Sequence, residues 1–232
     1  MFPIRHGLPV SSASHDRCGN RIMPDRYYRP GMIRLNECPF NEGVCVEMID
    51  SGLVVDRIAV ALGWDGSISP ELEWEVAEEQ LGTPFPADYK EFMGRFPSGV
   101  VRDVITFWNP VQSAEHLAQC KARFDGILVC ARIAWERGYD SFPPFPESNG
   151  VIPFASDVEG GALFWLPWTS NPDKWHVVYQ SRHSPDDWTR TKRSMASVML
   201  ELATSRSERN ILGWDLSAKD RSFRLLNLPA GA

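Results

Sequence analysis

Gly150-Val151-Ile152-Pro153-Phe154-Ala155-Ser156-Asp157-Val158-Glu159-Gly160-Gly161-Ala162-Leu163-Phe164-Trp165 reads as a strand, a turn and a strand, and this reading decides the fold. Val151 to Phe154 is a short apolar run. Ser156 to Gly161 is turn chemistry, because Asp bonds its own backbone and Gly tolerates positive φ. Ala162 to Trp168 is apolar on both faces apart from Pro167. A strand with one wet face would alternate, so this one is predicted to be buried on both sides. Downstream, Trp175, Val177 and Tyr179 alternate with His176, Val178 and Gln180, which predicts a third strand of the same meander. Asp186-Asp187-Trp188 falls in a loop or a short further strand.

Upstream of the meander the pattern is helical. Val54, Ile58 and Ala61 or Leu62 share one side of a helix over Leu53–Leu62, and Gly63-Trp64-Asp65-Gly66 breaks it. Ser69-Pro70-Glu71 reads as the opening of a second helix that ends at Leu81-Gly82, since Ser caps, Pro suits the first helical position and Gly suits the position past the end. Pro84 and Pro86 keep the connection extended. Ala87-Asp88 starts a third helix, with Tyr89, Phe92 and Phe96 on one face. Val100 to Trp108 reads as one strand closed by Asn109-Pro110. Ser113 then caps the clearest helix of the chain, whose stripe is Leu117, Cys120, Phe124, Leu128, Ala131 and Trp135. Arg137-Gly138 closes it, and Pro143, Pro144 and Pro146 stiffen the link into the meander.

These elements, in this order, resemble the SUKH superfamily. The residues that carry the likeness are a helix ending in Leu81-Gly82, the Pro86-Ala87-Asp88-Tyr89 helix start, and Gly150-Val151-Ile152-Pro153-Phe154-Ala155-Ser156-Asp157 followed by Gly160 and an aromatic strand. Asn171-Pro172-Asp173-Lys174-Trp175-His176-Val177-Val178 and a short helix over Ser194–Leu202 agree with it. The likeness covers roughly Ser69 to Ala203 and lies nearest the Smi/Knr-type cell-wall regulators and bacterial immunity proteins. It implies an α+β domain with a mainly antiparallel sheet packed by several helices. For most bacterial members it also implies binding and neutralising a toxin protein.

The expected organisation is a single such domain over 51–204, a poorly patterned and loosely structured N-terminal extension over 1–50, and a C-terminal tail over 205–232 with one added strand at Phe223–Leu226. Aromatic residues make up 11% of the chain, nine of them Trp, which argues for a packed core and against disorder. No run of about 18 apolar residues is present, so no membrane span is expected. Met1–Asn20 lacks the apolar stretch of a secretory signal. Five cysteines without a Cys-x-x-Cys pair suggest reduced thiols in the cytoplasm. His15, Cys18, Cys38 and Cys45 match no common zinc spacing.

Charge is uneven. Asp65–Glu91 holds eight acidic residues and one basic, a net −7, while the whole chain is −6. The plain account is a solvated helix face. The functional account is a landing surface for a basic partner, which would associate fast and in a salt-sensitive way. Nuclease toxins are such partners, since they approach phosphate backbones. Nucleic acid itself is not an expected ligand of this balance of charge.

Catalysis has weak candidates. His116 and Cys120 sit four apart on one helix, but Cys120 lies on the apolar stripe. Asp157 and Glu159 form a carboxylate pair whose place beside two glycines suits a turn better than a metal. Gly-x-Ser-x-Gly, His-Glu-x-x-His, Walker and dinucleotide motifs are all missing from the sequence. The expectation is therefore a non-enzymatic, cofactor-free, cytoplasmic protein-binding module, monomeric or weakly dimeric. Its surface set comprises Glu75, Glu79, Asp157, Glu159, Trp168, Asp173, Asp186, Asp187 and Trp188, with Trp168 and Trp188 as aromatic anchors ringed by carboxylates. A regulatory or scaffold protein of the Smi/Knr type is the alternative.

Overall fold

The computed structural model describes residues 51–184 and 186–228, together with the backbone of 34–35. The chain divides into two units, Met1–Pro30 and Gly31–Ala232, and the first lies wholly outside the described residues. So does nearly all of the 1–50 extension, with His15, Cys18, Cys38 and Cys45.

The elements are β1 (Arg34–Leu35), α1 (Ser51–Leu62), α2 (Trp74–Leu81), α3 (Ala87–Arg95), β2 (Gly99–Val101), β3 (Ile105–Phe107), α4 (Ala114–Glu136), β4 (Ile152–Asp157), β5 (Ala162–Leu166), β6 (His176–Gln180), β7 (Trp188–Thr191), α5 (Met195–Thr204) and β8 (Phe223–Leu225). They form one eight-stranded sheet in the order β1-β7-β6-β5-β4-β3-β2-β8. Every neighbouring pair is antiparallel except β1 with β7. The α+β fold with a mainly antiparallel sheet is thus the one expected.

Alternation along the strands builds two cores. Leu163, Trp165, Val177 and Tyr179 face one way and join residues of α1, α3 and α5 in the main core. Phe164, Leu166, Val178 and Trp188 face the other way, where Phe142 and Ile127 pack on them. All five residues of β5 are buried, as its unbroken apolar run predicted. Tyr89 and Phe85 of the α3 region meet Trp165 at ring distances of 4.9 and 5.7 Å, which sets α3 against the sheet centre.

Local signals acted as read at most element ends. Gly82 has φ 73° and its N–H donates to the Glu78 carbonyl, ending α2. The Ser113 hydroxyl accepts from the His116 N–H at 3.3 Å and starts α4. Four readings are corrected. The second helix begins at Trp74, because the Glu71 and Leu72 amides donate instead to the Val111 carbonyl, at 3.0 and 3.2 Å. The strand expected over Val100–Trp108 is a hairpin, β2–β3, turned by Arg102 and Asp103 at φ 55° and 52°. Trp135, assigned to the packed stripe of α4, is 36% exposed. Thiols are not all free: Cys120 is free, whereas Cys130 is disulfide-bonded.

The segment after Ser205 is more than a tail. Ile211, Leu212 and Leu216 are buried in the main core, and β8 pairs with β2. Arg102 ties this segment in. Its buried guanidinium donates to the carbonyls of Leu202 (3.0 Å), Ser205 (2.7 Å), Lys219 (2.6 Å) and Leu216, bridging the end of α5 to the chain beyond it. Of these, the Leu202 and Ser205 carbonyls are acceptors of the kind that a helix leaves unmet at its C-terminus.

Candidate protein-binding surfaces

The sheet has two ends, and the expected surface residues are divided between them. The β2–β3, β4–β5 and β6–β7 turns lie at one end, as the register pairs Ile105 with Asp157 and Ala162 with Gln180. The β5–β6 connection, which holds Trp168 and Asp173, lies at the other. Five residues of β5 at ~3.3 Å each separate the two ends by roughly 15 Å.

At the turn end, carboxylates are used internally. Asp157 is buried, and its Oδ1 accepts from the Glu159 and Gly161 N–H groups at 2.7 and 2.9 Å. Its Oδ2 accepts from the Tyr179 hydroxyl at 2.7 Å. Burial, then the bond to Asp157, hold the Tyr179 phenol well above its ordinary range. A Cβ on Gly161 would sit 2.3 Å from Asp157 Oδ2, so the glycine is sterically required there. Asp186 has φ 53°, and its carboxylate accepts from the Ser141 N–H and hydroxyl, each at 2.7 Å. Next to it, buried Asp140 accepts from Gln180 Nε2 at 2.5 Å, and its carboxyl is raised, mainly by burial. Glu159 is exposed and meets His183 at 2.9 Å. The Asp187 carbonyl accepts from the Ser181 N–H, leaving its half-buried side chain at the rim.

Two residues expected at the surface are buried. Asp157 is 6% exposed, because three donors surround its carboxylate. Trp188 is 1% exposed, because it opens β7 and packs on Phe164 and Phe142 at 5.4 and 5.0 Å. Long-range pairing with Gln180 puts it there.

Trp168, at the opposite end, is 56% exposed. Its indole N–H donates to the Lys174 carbonyl at 2.7 Å, and its ring lies 5.2 Å from that of His176. Asp173, in the 3-10 turn Pro172–Lys174, accepts from the Ala87 N–H at 2.7 Å and so caps α3 from a distance of 86 residues. Asp88, next in line, accepts from the Ala196 N–H at the start of α5 at 2.8 Å.

The acidic helix α2 is a third surface. Glu75 and Glu79 are exposed, as are Glu71 and Glu73. Glu78 is spent inside, accepting from the Phe85 N–H at 3.0 Å and pairing with Lys90 at 2.7 Å. Of the groups weighed for catalysis, Cys120 is pushed up to about 12 by burial, the reverse of what a thiolate nucleophile needs. Burial also lowers His116, whose Nδ1 lies 2.9 Å from the Ser113 hydroxyl.

A SUKH family model described as SMI1-KNR4 cell-wall matches residues 71–195, more than half of the 232-residue chain. The chain belongs to the SUKH family. The SUKH match runs from the residue whose amide meets Val111 to the first residue of α5, and it contains all nine expected surface residues. No curated protein and no solved structure matches the chain. Sequence reasoning missed two residues of the Trp168 end, His176 and Arg190. The Trp188–Thr191 strand that brings Arg190 there carried an alternation of large and small residues that could have placed it.

Proposed function

We propose that this SUKH chain is a non-catalytic, cytoplasmic protein-binding module, monomeric or weakly dimeric, that neutralises a cognate toxin by covering part of the toxin's surface. The family supports a protein-interaction role, and the observation that carries the partner's chemistry is α2. Glu71, Glu73, Glu75 and Glu79 are all exposed along a stretch of net −7. A basic partner, with nuclease toxins as the leading class, would be steered to this face by charge. No cofactor enters the reading.

Immobilised full-length protein should retain one basic protein from the source cell, and that protein should be toxic when produced alone. Glu75→Lys with Glu79→Lys should then slow association by about tenfold and flatten its salt dependence, with unfolding unchanged. Unaltered association would remove α2 from the interface. The matched description, SMI1-KNR4 cell-wall, supports a second reading as a regulatory or scaffold protein. Retention of several cytoplasmic enzymes in place of a single toxin would favour it.

A further inference from the structure

The Trp168 end of the sheet carries an ordered aromatic and cationic surface. Trp168 is exposed but fixed, through its bond to the Lys174 carbonyl and its contact with His176. His176 is fixed in turn. Arg190 Nε and Nη2 lie 3.2 and 2.6 Å from His176 Nδ1. A guanidinium only donates, so Nδ1 accepts, the ring proton sits on Nε2 and the imidazole is neutral. This arrangement spends two of the five guanidinium N–H groups and holds the fork in one orientation. Arg190 and Val178 are directly opposed in the register, so Arg190 shares a face with Val178 and His176.

The positive charge there has no carboxylate partner among the described residues. Lys192 and Arg190 both bear electrostatically on His176, and Lys174 adds a cation at the 3-10 turn. Among the described residues, none of Arg190, Lys174 and Lys192 forms an ion pair with a carboxylate. Arg193, one residue beyond Lys192, does pair, with Glu201 at 2.7 Å. The carboxylate beside Lys174 is Asp173, already bonded to the α3 amide.

We propose that Trp168, His176 and Arg190, rimmed by Lys174 and Lys192, form a docking surface for an acidic protein segment. Trp168 takes an apolar side chain of that segment, and the free fork of Arg190 takes an aspartate or glutamate carboxylate. Trp and Arg are the side chains that most often anchor interfaces. Both are pre-ordered here, which lowers the entropic cost of binding. The planar fork matches a carboxylate in two bonds. A single-stranded nucleic acid would also find cations and a stacking ring, but the chain's net −6 repels a long polyanion more than a short acidic segment. The polarity is opposite to that of α2, so this surface does not depend on the toxin reading.

The test pans a phage-displayed random peptide library on the full-length protein. Enriched peptides should be rich in Asp and Glu beside an apolar residue. Trp168→Ala and Arg190→Gln should each weaken the best peptide by about tenfold, whereas Lys121→Gln on α4 should not. Far-ultraviolet dichroism checks each fold. Should Trp168→Ala disturb it, Arg190→Gln alone decides. Neutral or basic winners, no enrichment above background, or unchanged binding by both variants would overturn the proposal. Tighter binding of oligo-dT than of the best peptide, lost in Trp168→Ala, would overturn it in favour of nucleic acid.

Discussion

Trp188 and Trp168 stand at opposite ends of the same sheet, and local sequence gave them the same character. Each follows polar or turn-forming residues. One ends 1% exposed and the other 56% exposed. The difference lies in pairing. Trp188 begins a strand that hydrogen-bonds to β6, so its side chain must take one sheet face, and that face is dry. Trp168 lies past the end of β5, where no strand dictates its direction. An aromatic residue's fate therefore follows its strand register more than its neighbours in sequence.

This contrast is open to direct attack. Trp188→Ala should cost about 3–5 kcal/mol, the usual toll of emptying a large buried site, whereas Trp168→Ala should cost less than about 1 kcal/mol. Urea unfolding of both variants measures it, and similar losses would erase the distinction between the two ends. Carboxylates sharpen it at the turn end alone. Asp157→Ala strands two backbone N–H groups and the Tyr179 hydroxyl, and should cost about 2–4 kcal/mol. Asp187→Ala, on the rim, should stay within about 0.5 kcal/mol in the same assay.

The smallest effect concerns pH at the Trp168 end. Burial, followed by Arg190 and Lys192, lowers the His176 pKa from its ordinary 6.5. The unfolded chain then binds the extra proton first as pH falls, so His176 contributes stability above 6.5 that is lost through the window just below it. His176→Gln should flatten the fall in melting temperature between about pH 7 and about pH 5 relative to wild type. A variant as acid-sensitive as wild type would mean that Arg190 does not depend on a neutral ring.

Much of the fold was legible because it is locally encoded. Gly82, Ser113 and the apolar run of β5 each act within a few residues of themselves. The β2–β3 hairpin was not legible, since Arg102 and Asp103 take positive φ where Gly or Asn would have signalled a turn. Nor was the start of α2, because Ser69-Pro70 promised a cap while the following amides found a carbonyl forty residues away. At the surfaces, Glu75 and Glu79 were readable from charge alone. Asp173 was readable as an acid but not as an internal acceptor, because its donor comes from α3, whereas the turn bonds of Asp157 were readable and only its Tyr179 donor, from β6, was not.

Arg102 has a consequence for where this protein can be cut. The family match stops at Met195, which invites the view that everything afterwards is accessory. Yet a guanidinium from inside the matched span grips four carbonyls that all lie beyond that border, and Leu216 contributes both an acceptor and a buried side chain. Trimming the chain after Ser205 would leave a cation in a dry interior with two of its four acceptors, Leu216 and Lys219, gone, a costly state for any side chain. The span that the family model matches and the unit that packs together are therefore different lengths in this chain.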